Sequence, residues 1–190
     1  IRARLMSDHA HGVFDTIFFG GGTPSLLTSA QVARIIDELK MNFDIDSEAE
    51  VTLESNPKAL SMESLKGYRD AGVNRLSMGV QSMDDDILRR LGRIHTVHDV
   101  IRDVQNAREA GFDNINLDLM FAVPGSSLET TIMDIDAVTS LEPEHISFYS
   151  LQLEEGTAFF KKFEQGELTE VPDEIDRAMY HAGTKLLKEK

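Results

Sequence analysis

Asn114-Ile115-Asn116-Leu117-Asp118-Leu119-Met120-Phe121, continued by Ala122-Val123-Pro124-Gly125, is the stretch on which the fold turns. Successive side chains of a strand point to opposite faces. Ile115, Leu117 and Leu119 therefore share an apolar face, while Asn116 and Asp118 share a polar one. Pro124-Gly125 then turns the chain towards a helical pattern. The same parity recurs elsewhere. Leu76, Met78 and Val80 oppose Ser77, Gly79 and Gln81; Val51 and Leu53 oppose Thr52 and Glu54; Ile146 and Phe148 oppose Ser147 and Tyr149. Each strand offers one face to covering helices and keeps a small or polar face for another use.

Working outward, five short apolar runs stand at Thr16–Phe19, Val51–Leu53, Arg75–Val80, Ile115–Phe121 and Ile146–Leu151, each followed by a helical pattern. Thr28 and Gln31 form a capping box ahead of Val32, Ile35, Ile36 and Leu39. Ser61 caps a helix through Leu65 and Tyr68 that stops at Gly72. A short helix precedes Arg93. Thr96 opens a helix with Val97, Val100, Ile101, Val104 and Ala107 on one face, stopped at Gly111. Ser126 and Glu129 read as a further capping box before Leu128, Ile132 and Ile135. The last helix starts at Pro172, with Ile175, Met179, Ala182 and Leu186 aligned. The helical tail with Glu164, Glu167, Glu170, Asp173 and Glu174 reads as a solvated face.

Strand–helix alternation implies βαβ crossovers and a parallel sheet. A doubly wound sheet and a partial barrel both satisfy it. No glycine fingerprint with a ribose-binding acid at the right offset appears, which weighs against the dinucleotide fold. A closed eight-stranded barrel packs its interior with bulky branched residues. A polar interior implies instead an opened-out α/β structure, a partial, open parallel β/α barrel of about five strands lined for a polar ligand. Parallel sheets rarely leave a face uncovered.

The chain has 190 residues, enough for one domain with a real core, and 41% of them are hydrophobic. A net charge of −14 argues against a nucleic-acid surface, which needs clustered Lys and Arg. Zero cysteines exclude disulfides, Cys-ligated zinc and Cys-ligated iron–sulfur clusters within these residues. No stretch is apolar enough to span a bilayer, and the first residues are no signal peptide, so a cytoplasmic location is expected. The opening basic run, Ile1, Arg2, Arg4 and Leu5, reads as a helix cut partway along.

The residues that carry chemistry sit at strand ends, with Arg93 after a short helix and Asp118 mid-to-late in its strand. Gly20-Gly21-Gly22-Thr23-Pro24-Ser25 follows the first run directly. Glycines there let a ligand approach the backbone and let N–H groups face an anionic oxygen, although a tight turn or a phosphate nest uses the same pattern. Glu54 in Glu54-Ser55-Asn56-Pro57 could pair with an ammonium group or with a neighbouring Lys. Gln81 can hydrogen-bond a ribose or carboxylate. Arg93 can bind a carboxylate with two bonds. Asp118 lies on the polar face, where a buried carboxylate needs a donor. His95, His98 and His145 show no spacing that closes a metal site and read as capping or packing residues.

Taken together, FFGGGTPSLL (18–27), ESNP (54–57), GVNRLSMGVQS (72–82), LGRIHT (91–96), NINLDLMFAVPG (114–125) and LEPEHISFYSLQLEEGT (141–157) resemble the radical-SAM family of oxygen-independent coproporphyrinogen III oxidase and its relatives. The form Leu91-Gly92-Arg93-Ile94-His95 is more similar to the haem-chaperone branch than to the decarboxylating oxidase. The resemblance covers nearly the whole chain. It implies that Gly21, Gly22 and Thr23 bind the methionyl amino end of S-adenosylmethionine, and that Glu54, Gln81, Arg93 and Asp118 contact the same cofactor.

The family's cluster motif of three cysteines is absent here, as is its C-terminal region. The resemblance therefore implies that residues 1–190 are the central part of a core barrel and inactive alone, the 4Fe-4S cluster belonging to a longer parent. That parent is expected to carry haem to apo-proteins, or alternatively to decarboxylate coproporphyrinogen through a deoxyadenosyl radical. Porphyrin or haem, a haem-accepting apo-protein and an electron donor are the implied partners. An unrelated barrel using Gly20–Gly22 as a phosphate nest is the remaining alternative. The open edge of Thr16–Phe19 is expected to make the chain self-associate.

Overall fold

The computed structural model describes residues 12–190, so the basic run expected at the start of the chain lies outside the described residues. Five parallel strands form one sheet in the order of the sequence: β1 (Val13–Phe19), β2 (Asp44–Ser55), β3 (Arg75–Gln81), β4 (Ile115–Phe121) and β5 (His145–Ser150). A doubly wound sheet reverses its order at a switch point; this one never does. The result is an open half-barrel.

Helices α1 (Ser29–Asn42), α2 (Met62–Asp70), α4 (Val97–Glu109) and α5 (Leu128–Thr139) complete the successive crossovers, with the short α3 (Asp85–Arg90) before α4. Helices α6 (Ala158–Glu164) and α7 (Asp173–Glu189) follow β5. The apolar parity set of the strands is the core. Leu53, Leu76, Met78, Val80, Ile115, Leu117 and Leu119 pack against Val32, Ile36, Leu65, Val100, Val104 and Ile135, all buried. A smaller cluster of Phe121, Ala122 and Met179 seats α7. Capping boxes start α1 at Thr28, α2 at Ser61 and α4 at Thr96, as their spacing requires.

Four expectations change. The cap of α5 is Ser127 with Thr130, not Ser126 with Glu129. Ser126 is instead drawn into a turn, its N–H donating to the Val123 carbonyl. Strand β2 extends back to Asp44, well before Val51, because its early part is mostly acidic, with Asp44, Asp46 and Glu48 exposed and only Ile45 and Ala49 apolar. Strand β1 likewise begins at Val13 and breaks register against β2 between Phe14 and Thr16. The acidic tail is not one helix. α6 ends at Glu164, Gly166 takes a left-handed φ of 72°, and Pro172 caps α7. Its Glu and Asp side chains are exposed, as expected.

Candidate functional site

The C-terminal edge of the sheet closes round a polar cleft of about 230 Å³ lined by residues from the ends of β1, β2 and β3 and from the middle of β4. Gly21, Gly22 and Thr23 come from the loop after β1, Glu54 from the end of β2, Gln81 from the end of β3, and Asp118 from β4. Arg93 enters from the turn after α3. All seven residues singled out in the sequence thus line one cavity. Larger depressions exist, such as one of about 720 Å³ along α1, but it lies on the outer helical layer, away from the strand ends.

The loop after β1 is fixed by the strand beside it. Gly21 N–H donates to Glu54 Oε2 at 3.1 Å, and the Thr23 hydroxyl donates to the Gly22 carbonyl at 2.8 Å. Gly21 adopts a φ of 111°, so a side chain there would be strained. Arg93 Nη1 donates to Asn56 Oδ1 at 3.3 Å. Arg93 is only half-buried, so its guanidinium can still turn to a ligand carboxylate.

Below this rim lies a second polar layer. Asn116 Nδ2 donates to Asp118 Oδ1 and to Ser77 Oγ, both at 2.7 Å. Asn116 Oδ1 in turn accepts from Ser147 Oγ at 3.1 Å and lies 2.5 Å from His145 Nδ1. This network answers how the Asp118 carboxylate tolerates its place: the donor it needs is Asn116, two residues earlier on the same strand face. The Tyr149 hydroxyl donates to Gln81 Oε1 at 3.0 Å. Burial, and then the Asp118 charge, push the Tyr149 phenol above its usual range, so it stays a donor.

Gly79 is a close-approach position. A Cβ built there would stand 2.9 Å from Asn56 Oδ1 and 3.0 Å from Gln81 Nε2, so a side chain would push both of these side-chain ends from their places. Gln81 itself has a φ of 72° at a point where β3 carries one residue more than β4. Such a bulge re-aims a side chain at the end of a strand.

Sequence reasoning missed Asn56, Ser77 and Gly79 as cleft-lining residues, and Tyr149 as the support of Gln81. The parity pattern already put Ser77, Gly79 and Tyr149 on the polar face, and Asn56 stands two residues beyond Glu54. His95 is buried with Nε2 3.1 Å from the Val80 carbonyl, and burial lowers its pKa, so it is a neutral packing residue. His98 is exposed and His145 belongs to the second polar layer. Among the described residues no His, Asp and Glu cluster could hold a metal ion, and no helix is long and apolar enough to cross a membrane.

Two carboxylates, one guanidinium and a backbone N–H loop converge on a small cavity. That set suits a ligand carrying both a positive centre and a carboxylate. Residues 1–138 match the radical SAM superfamily model. The heme chaperone HemW of Bacillus subtilis (strain 168) is 43% identical over 166 residues, covering 87% of this chain and 44% of that protein. The mitochondrial radical S-adenosyl methionine domain-containing protein 1 of Danio rerio is 40% identical over 174 residues, 92% of this chain and 39% of that one. The chain therefore spans less than half the length of these curated relatives. Among solved structures, HemN from Escherichia coli, a coproporphyrinogen III oxidase and radical SAM enzyme, aligns with a TM-score of 0.79 at 26% identity, over 93% of this chain and 41% of that one.

Proposed function

The chain belongs to the radical SAM superfamily, and from that premise we propose that its polar cleft holds S-adenosylmethionine in a protein that carries haem to apo-proteins. The observation that supports the reading is the convergence of Gly21, Glu54, Gln81, Arg93 and Asp118 on one cavity. On this reading Glu54 and the Gly21–Thr23 loop hold the methionyl amino end. Arg93 faces the carboxylate, Gln81 hydrogen-bonds the nucleoside, and Asp118 supplies negative charge near the positive sulfonium. When bound, the cofactor supplies a carbon–sulfur bond open to one-electron cleavage; the protein supplies binding and orientation.

A thiolate-held iron–sulfur cluster does not fit the residues present, because the sequence contains no cysteine. The reading therefore takes the chain as the central part of a core barrel, with cluster ligands and a further region contributed by a longer protein. The haem-chaperone assignment rests on the 43% identity to the Bacillus subtilis protein. A second reading, oxidative decarboxylation of coproporphyrinogen, is favoured by the likeness to HemN. Haem, an apo-protein acceptor, an electron donor and a cytoplasmic location belong to the first reading.

Titration of the chain with S-adenosylmethionine, followed by amide NMR shifts, tests the cleft. Shifts should gather at Gly21, Glu54, Gln81 and Asp118. Asp118→Ala should weaken binding roughly tenfold or more while melting stays near that of the parent chain, as expected for loss of a charge-assisted contact of about 1.5 to 3 kcal/mol. No shift at about 1 mM ligand would overturn the cofactor reading. In the longer protein, turnover of coproporphyrinogen would favour the oxidase, and haem binding without turnover the chaperone.

A further inference from the structure

Gln81 adopts a left-handed backbone although it is not glycine. Such a conformation persists only where its surroundings hold it, and it clusters at ligand sites. Two buried groups grip the chain on either side. Before Gln81, His95 Nε2 lies 3.1 Å from the Val80 carbonyl. After it, the Ser82 hydroxyl donates to Asp134 Oδ2 and Met83 N–H donates to Asp134 Oδ1, both at 2.8 Å. The Asp84 N–H then donates to Ser82 Oγ at 3.1 Å, and Asp84 caps α3. Both oxygens of one carboxylate are thus committed to the two residues that follow Gln81.

Asp134 belongs to α5, a helix that lines no part of the cleft. It is 7% exposed, and its partners are a hydroxyl and an amide rather than a cation. Burial pushes its carboxyl up to about 6, against the pull of those two bonds, and Asp84 adds to the rise. Packing alone would be served better by an apolar side chain there, since an ionised group is costly to bury. What the carboxylate adds is a double anchor of fixed geometry.

We infer that Asp134 is a positioning residue of the cleft: through Ser82 and Met83 it holds the left-handed turn at Gln81 and so sets where the Gln81 amide meets the ligand. The inference rests on the ligand reading above for the identity of that ligand, and on the geometry alone for the anchor. Tyr149 completes the arrangement by holding the far end of the same side chain through its Oε1.

The test is a double-mutant cycle on the intact chain, read by affinity for S-adenosylmethionine. Asp134→Ala should weaken binding about tenfold, whereas the same change in a Gln81→Ala background should alter it less than about twofold. Equal losses in both backgrounds, or unchanged affinity in folded Asp134→Ala, would overturn the inference. Should Asp134→Ala not fold, Asp134→Asn takes its place. It keeps an acceptor for Met83 and sets a donor against Ser82, and about a threefold loss through the same cycle is expected. If the parent chain binds no S-adenosylmethionine, the ligand reading fails and the anchor is judged by itself. The Gln81 side-chain amide resonances should move in Asp134→Asn, and amides 82–84 should exchange faster. Unmoved resonances with unchanged exchange would refute it.

Discussion

Asp134 shows how a single side chain couples stability to pH as well as to the site. Its carboxyl rises from 3.8 to about 6 because burial penalises the charged form more than Ser82 and Met83 favour it. The folded chain therefore binds this proton more tightly than the unfolded one does. The resulting stability is fully present below the unfolded value and is lost as pH rises through the folded value. Over that window the loss is about 3 kcal/mol at roughly 1.36 kcal/mol per unit. Asp99 and Glu144 have lowered values, so their contributions run the other way and vanish as pH falls. A comparison with Asp134→Asn isolates the one group. Denaturant unfolding from pH 4 to 7 should show the variant gaining on the parent chain as pH rises, by up to that amount. A constant difference across the range would mean that Asp134 titrates normally.

At the scale of elements, the strand that carries the glycine loop is also one of the two edges of the sheet. Among the described residues β1 hydrogen-bonds to β2 on one side, and no further strand covers its other side. Val13 and Phe18 are each 61% exposed, Phe18 in register with Thr52 of β2 and hence on the concave face. Unpaired N–H and C=O groups beside exposed apolar side chains favour pairing with another chain. Sedimentation of the 190-residue chain should show concentration-dependent association, and Phe18→Lys should reduce it. A monomer at high concentration would count against an available edge. The half-barrel leaves the rim of the cleft open, while beneath it the buried Thr52, Ser77 and Asn116 are hydrogen-bonded across strands instead of packed with branched side chains.

At the scale of the whole molecule, composition limits the chemistry more firmly than geometry does. A chain without cysteine offers no thiolate to iron. Reconstitution with iron and sulfide, followed by absorbance and metal analysis, should therefore leave no stoichiometric cluster on it; a bound cluster would require ligands other than thiolates. On the reading proposed above, the ligand's carboxylate would enter the cleft against a net charge of −14. Local groups such as Arg93 and the Gly21–Thr23 loop have to outweigh that field at short range.

Local patterns alone show which runs are strands, which face of each is apolar, where Thr28, Ser61 and Thr96 start helices, that Glu54 and Gln81 end strands and that Asp118 lies on a polar strand face. These are local properties, set by side-chain period and by cap chemistry, and a linear text carries them. What it did not carry is anything fixed by partners distant in the chain. Asp134 reads as one more acidic residue on a helix until Ser82 and Met83, about fifty residues earlier, are seen to close on it. Gly79 reads as a weak point in a strand until Asn56 and Gln81 are seen beneath its missing Cβ. The bulge at Gln81 depends on the register between β3 and β4, which no residue of β3 states alone. Tertiary structure decided these, because a hydrogen bond or a close approach is a property of two places in the chain brought together by the burial of a third.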